Sequence, residues 1–218
     1  MTALMHNAKQ RDIGCVEALI LAKADVNLRS KTGVTALIMA ARSGCDPCIT
    51  LLTDAGANMA LKDNRYGLTA LMSACKNQQV GCVRNLLSAN ATVAYVDQKT
   101  QPEGVTALAY ASGFSCPGCV QLLLDAGADP DNKDNWHKTA LMAAARSDCT
   151  SCVEKLLEAK ATTDIKNDEE LPLSMPHVMV TRIVFGYSSK LGLMSISLIG
   201  KSTMPYGMPS DGPVALHA

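Results

Sequence analysis

TALMAAARSDCTSCVEKLLEAKATTD, residues 139–164, decides the reading of this chain, because four other stretches repeat it in register. The tripeptide Thr-Ala-Leu opens each copy, at Thr2, Thr35, Thr69, Thr106 and Thr139. Successive threonines stand 33, 34, 37 and 33 residues apart. The other copies read TALMHNAKQRDIGCVEALILAKADVN, TALIMAARSGCDPCITLLTDAGANMA, TALMSACKNQQVGCVRNLLSANATVA and TALAYASGFSCPGCVQLLLDAGADPD. A period in this range is the mark of a stacked-repeat architecture.

Each copy reads physically as a pair of helices. The threonine hydroxyl is suited to accept a hydrogen bond from an orphaned N–H of a first, Ala/Leu/Met-rich helix. That helix breaks at Gly44, Gly113 or a polar equivalent, and a second follows with apolar residues at helical spacing, as in Cys152, Val153, Leu156 and Leu157. Gly56 and Gly127 fall just past the second helix, where a left-handed turn favours glycine. Lys23, Asn90 and Lys160 take the same place in the other copies, which predicts some strain there.

On these residues the sequence resembles the ankyrin-repeat family. The family's T-P-L-H-x-A signature appears as TALMSA and TALMAA in the third and fifth copies, and its A-G-A-D-x-N element as Ala55–Asn58 and Ala126–Asp129. A glycine two residues before the threonine matches at Gly33, Gly67 and Gly104, whereas His137 replaces it in the fifth copy. Alanine stands for the family's proline after each threonine. The T-A-L-M wording and recurrent Cys-Val also resemble the expanded ankyrin families of some parasitic protists. The resemblance covers about residues 1–167, with the first copy truncated, and implies an all-α solenoid of stacked helix pairs joined by finger-like β-turns. It further implies a non-enzymatic scaffold that binds another protein through its concave face and fingers.

Carried over by position, the fingers are Leu28–Gly33, Lys62–Gly67, Asp97–Gly104 and Lys133–His137, the third lengthened to account for the longest spacing. Arg65, Tyr66, Trp136 and His137 are the expected anchors, since aromatic and arginine side chains dominate binding energetics. Trp136, the single tryptophan, reads equally as an anchor or as packed sideways on the next finger. Seven residues after the threonines come Lys9, Arg42, Lys76, Gly113 and Arg146, with Phe114 beside the gap. Stacking would align the basic members into a ladder able to meet an acidic partner segment. The plainer reading, a basic residue complementing the end of a helix dipole, is preferred.

Nine cysteines raise a separate question. Thirteen residues after each threonine stand Cys15, Cys48, Cys82, Cys119 and Cys152, at a buried aliphatic position of the repeat. They read as core thiols, small hydrophobes in a packed interior. Cys45, Cys116 and Cys149 lie three residues earlier, where the other copies carry Asp12 and Gln79, and Cys75 replaces a first-helix alanine. The resulting C-x-x-C pairs do not read as zinc sites. Thiolate ligands lie about 4 Å apart around one zinc, whereas stacked helices are about 8–10 Å apart and point equivalent side chains the same way. A disulfide framework is disfavoured by the odd count and by an expected reducing compartment. Cys45, Cys116 and Cys149, at helix N-termini that favour thiolate, are candidates for reactive thiols.

Composition excludes other classes. Hydrophobic residues make up 48%, charged residues 18% and aromatics 4% of 218 residues, and 20 basic residues balance 20 acidic ones. No bulk field points to nucleic acid, no apolar run reaches the roughly 20 residues that span a bilayer, and the stretch MTALMHNAKQRD lacks the apolar core of a secretory signal. A cytoplasmic, or cytoskeleton-associated, protein is expected. No catalytic constellation emerges around His6, His137, His177 or His217, and no cofactor or metal is expected. The rival readings are a regulatory ankyrin segment of a larger enzyme such as a kinase, or a thiol-responsive protein. The array could equally be a fragment of a longer one. Residues 168–218 leave the repeat pattern. Stretches 178–187 and 191–200 favour strand, as a hairpin covering the last repeat or as loose chain.

Overall fold

A computed structural model describes residues 1–90 and 92–163, with the side chains of Asn90 and Val93 left out. The strand readings at 178–187 and 191–200, the boundary at residue 167, His177 and His217 lie outside the described residues.

Among the described residues the secondary structure is helical, with no strand. Five first helices, α1 (Ala3–Gln10), α3 (Ala36–Ser43), α5 (Ala70–Lys76), α8 (Ala107–Gly113) and α10 (Ala140–Arg146), alternate with second helices. These are α2 (Ile13–Leu21), α4 (Asp46–Asp54), α6 (Val80–Asn90), α9 (Pro117–Asp125) and α11 (Thr150–Glu158). One extra turn, α7 (Val93–Val96), follows α6. First helices pack on first helices and second on second along the array, while each pair also packs internally.

Helices of seven to eleven residues are too short to be stable alone, so tertiary contact must supply their stability. The capping threonines define where they begin. Thr2, Thr35, Thr69, Thr106 and Thr139 each accept a hydrogen bond from the backbone N–H three residues on, at 3.2–3.5 Å. A first helix is covered by two neighbours and by its own second helix, so burial extends around it. In α5 the run Ala70–Cys75 is wholly buried, Ser73 included. Second helices bury one stripe: Cys48, Ile49 and Leu52, or Cys152, Val153 and Leu156.

The turns after α2 and α11 carry the expected strain. Lys23 (φ 59°) and Lys160 (φ 62°) take the left-handed conformation that Gly56 and Gly127 adopt freely. Asn90 closes α6 beside residue 91, which is outside the described residues.

One expectation about the third finger needs correction. The tips are alike: the N–H of Asp63 donates to Leu68 O and that of Thr100 to Val105 O, both at 3.0 Å. Most of the extra length instead lies before Thr100, in the longer α6 and in α7, whose Tyr95 and Val96 are buried. The insertion thus adds core rather than reach.

The fingers are also tied together. Arg29 donates to Lys62 O, Lys62 to Lys99 O, and Lys99 to Lys133 O, each at 2.8 Å. Each bond links a basic side chain to the carbonyl of the corresponding residue one finger on. Backbone N–H groups add further links, Asn64 to Thr32 O at 2.9 Å and Asn135 to Glu103 O at 3.0 Å. These hydrogen bonds hold the turn surface as one sheet-like edge without strands.

Candidate partner-binding surface

Finger two and the C-terminal ends of α5 and α8 bring four of the expected residues together. Tyr66 projects from the turn, 43% exposed, with the Arg65 guanidinium 5.0 Å from its ring centre. Lys76, at the end of α5, places its ammonium 5.1 Å from the Tyr66 ring and 5.9 Å from that of Phe114. Phe114 caps α8 and is 41% exposed; its ring lies 6.3 Å from Tyr110 at 22°. The result is a cation held between two aromatic faces and bordered by a third ring. Such contacts at exposed sites are worth about 0.5–1 kcal/mol each, enough to orient the side chains.

Tyr110 is the member that sequence reasoning missed. It sits inside a first helix, where an aromatic at an alanine-rich position was the available signal. Burial raises its hydroxyl pKa above the ordinary value, with the charge of Glu103 adding to the effect.

Arg42 does not serve as a free rung of a basic ladder. Its guanidinium forms an ion pair with the Asp63 carboxylate, which is buried beneath finger two. The same carboxylate accepts the N–H groups of Tyr66 (2.8 Å) and Leu68 (3.3 Å). Arg42 therefore positions the finger that carries Tyr66. Arg146 is exposed at the end of α10, apart from the cluster's contacts.

Trp136 and His137 form a separate feature on finger four. Trp136 is 55% exposed, and the ammonium of Lys138, just past the finger, lies 5.7 Å from its ring centre. Its N–H donates to Asp134 at 2.9 Å. His137 occupies the glycine place with φ 59°, beside 74°, 64° and 72° at Gly33, Gly67 and Gly104. A histidine in that conformation keeps its side chain exposed at some backbone cost.

The cysteines depart from their expected state. Cys45, Cys116 and Cys149 sit at the N-caps of α4, α9 and α11 as expected, but they are buried. Each is joined by a disulfide to the cysteine three residues on: Cys45–Cys48, Cys116–Cys119 and Cys149–Cys152. The reading of these six as free thiols is thus corrected. The reason is local: the first helical turn brings the paired Cα atoms to 5.2–5.3 Å, within disulfide range. Three cysteines are unpaired, Cys15, Cys75 and Cys82. Cys15 is exposed, against expectation, because α2 has α4 on one side and no second helix on the other among the described residues. Burial pushes the Cys75 thiol far up, and burial followed by a hydrogen bond to Asp46 does the same for Cys82.

No described helix is long and apolar enough to cross a membrane. Among the described residues no group of three or more His, Cys, Asp or Glu side chains could hold a metal ion.

Comparison with known proteins agrees with this architecture. The family model described as ankyrin repeats (3 copies) matches residues 4–97 and 92–168. The B-cell lymphoma 3 protein homolog of Mus musculus is 31% identical over 144 residues, covering 64% of this chain and 31% of its own length. The mitochondrial disaggregase of Bos taurus is 30% identical over 140 residues, 64% of this chain and 20% of that protein. The nuclear factor NF-kappa-B p105 subunit of Mus musculus is 34% identical over 118 residues, 49% of this chain and 12% of that protein. The chain thus spans less than a third of the length of these relatives. Ankyrin repeats generally mediate protein–protein interaction. With capped helix pairs, stacked neighbours and a family model matching most of its length, this chain belongs to the ankyrin-repeat family.

Proposed function

We propose that this chain is a non-enzymatic scaffold that binds another protein through its concave face and finger turns, centred on Tyr66, Lys76 and Phe114. The observation that carries this reading is the cation seated between two aromatic side chains, each more than 40% exposed. Isolated exposed hydrophobes need no explanation, but a cluster spanning three elements does. The surface suits a partner segment that pairs an apolar side chain with a carboxylate: the rings take the first and the Lys76 ammonium the second. Cross-finger hydrogen bonds hold the surface in place before binding, which reduces the ordering cost of association. Trp136, with His137 beside it on finger four, extends the surface at its far end.

The test is capture of binding proteins by the wild-type chain and by Tyr66→Ala, Phe114→Ala and Trp136→Ala variants, with helical content checked by circular dichroism. The expected outcome is loss of a specific partner with either of the first two and weaker retention with the third. Buried aromatic anchors typically contribute about 2 kcal/mol or more, a loss of some thirtyfold in affinity. Full retention by every variant would remove the assignment.

A further inference from the structure

We propose that Cys45/Cys48, Cys116/Cys119 and Cys149/Cys152 are three equivalent modification sites, dithiol–disulfide couples that exchange with low-molecular-weight disulfides of the glutathione type. The proposal does not depend on the partner surface.

The three pairs share one position and spacing, although the Cys45 side chain makes no cap hydrogen bond. In each, the first cysteine is the N-cap of a nine-residue second helix and the second lies three residues on, at Cα separations of 5.2–5.3 Å. Bonding is therefore local to one helical turn and links no repeat to another. The contrast with α2 is instructive. There Asp12 holds the N-cap and accepts the N–H of Cys15 at 3.0 Å, and Cys15 is unpaired. In α9 and α11 the N-cap sulfur lies 3.3 Å from the corresponding N–H. A thiolate at that position would do what the Asp12 carboxylate does, so in α9 and α11 the reduced form retains a cap and the helix can start in either state. Exchange then needs opening at the helix start and not unfolding of the whole helix.

Access is asymmetric. Cys48, Cys119 and Cys152 are fully buried, while Cys45, Cys116 and Cys149 retain 2%, 4% and 9% exposure. The N-cap cysteine is the less buried of each pair, so opening at the helix start exposes it first, and it is also the one whose thiolate the helix dipole favours. In the forward step the Cys149 thiolate attacks one sulfur of glutathione disulfide, forming a mixed disulfide and releasing one glutathione thiolate. Cys152 then loses its proton and attacks the Cys149 sulfur, forming the internal bond and releasing the second glutathione. The protein dithiol gives up two electrons, glutathione disulfide takes them, and the two protons leave with the two glutathione thiols. The other pairs follow the same course.

The experiment uses the full chain, reduced and then equilibrated in its native state with glutathione mixtures of increasing oxidised fraction. After acid quench and unfolding, free thiols are alkylated and located by peptide mass. The expected result is a fall from nine alkylatable thiols to three, Cys15, Cys75 and Cys82, with loss of six hydrogens, reversed by excess reduced glutathione. A Cys152→Ser variant should accumulate a glutathione mixed disulfide at Cys149. Nine free thiols at every mixture, or bonds that join Cys75 or Cys82 to other cysteines, would overturn the proposal, and the wild-type titration decides this whether or not the variant folds.

Discussion

Fingers two and four carry an aromatic at the same register, Tyr66 and Trp136, each three residues before a capping threonine. In both, an aspartate accepts the N–H of that aromatic, at 2.8 Å from Asp63 and 2.9 Å from Asp134. The difference lies beneath them. Arg42 in the first helix below finger two pairs with Asp63, whereas Gly113 stands in the same register below finger four. Asp63 is consequently buried and charge-paired, and Asp134 is only half-buried. One column of residues thus does two jobs. Where the finger above supplies a carboxylate, the basic residue becomes structural; where it supplies Thr100, as above Lys76, the cation is left to the aromatic surface.

The largest test of that contrast is removal of each aspartate. Asp63→Ala should destabilise the chain by about 3 kcal/mol, because two backbone N–H groups and a guanidinium lose a buried anion. Asp134→Ala, which also loses two N–H acceptances but no ion pair, should cost about 1 kcal/mol. Urea unfolding followed by circular dichroism reads both, and equal losses would remove the distinction. Next comes Gly67→Ala, expected to cost about 2 kcal/mol: φ is +64° and an added Cβ would come within 2.7 Å of the Gln101 backbone nitrogen. The mirror change on finger four, His137→Gly, should stabilise by about 1 kcal/mol by relieving a left-handed histidine. The smallest effect is expected from Gly113→Arg, which supplies the missing cation below Asp134. Its Cβ would meet Ala143 at an ordinary 3.7 Å, and a gain of about 0.5 kcal/mol is expected from a partly exposed pair. A Gly113→Arg gain that persists in an Asp134→Ala background would show that the added side chain acts elsewhere.

The helical array was legible because its signals are local. A threonine caps the helix that it begins, an alanine-rich segment follows, and each element is set by neighbours within a few residues. The finger positions were legible by the same register, although the added length of the third repeat was placed in the turn rather than in α6 and α7. Most of the surface cluster is visible as well: Arg65, Tyr66, Lys76 and Phe114 all stand out in the sequence, but in separate features, a turn and a ladder. Tyr110 carries no such mark, because an aromatic inside a first helix is equally compatible with core packing. The cysteines taught the opposite lesson. Register correctly placed Cys45, Cys116 and Cys149 at helix starts, yet treating the two columns separately concealed that residues three apart on one turn can bond.

Sequence by itself determined the repeat, the helix starts and the stacking, since periodic capping and apolar spacing leave one way to bury the Ala- and Leu-rich faces. Tertiary structure alone decided which charges remain available. Arg42 and Lys76 are equivalent in register and differ by what lies above them, Asp63 or two aromatic rings. The Arg42–Asp63 ion pair and the Lys76–Phe114 contact join residues more than twenty apart in sequence, and their formation depends on distances that spacing along a chain does not contain.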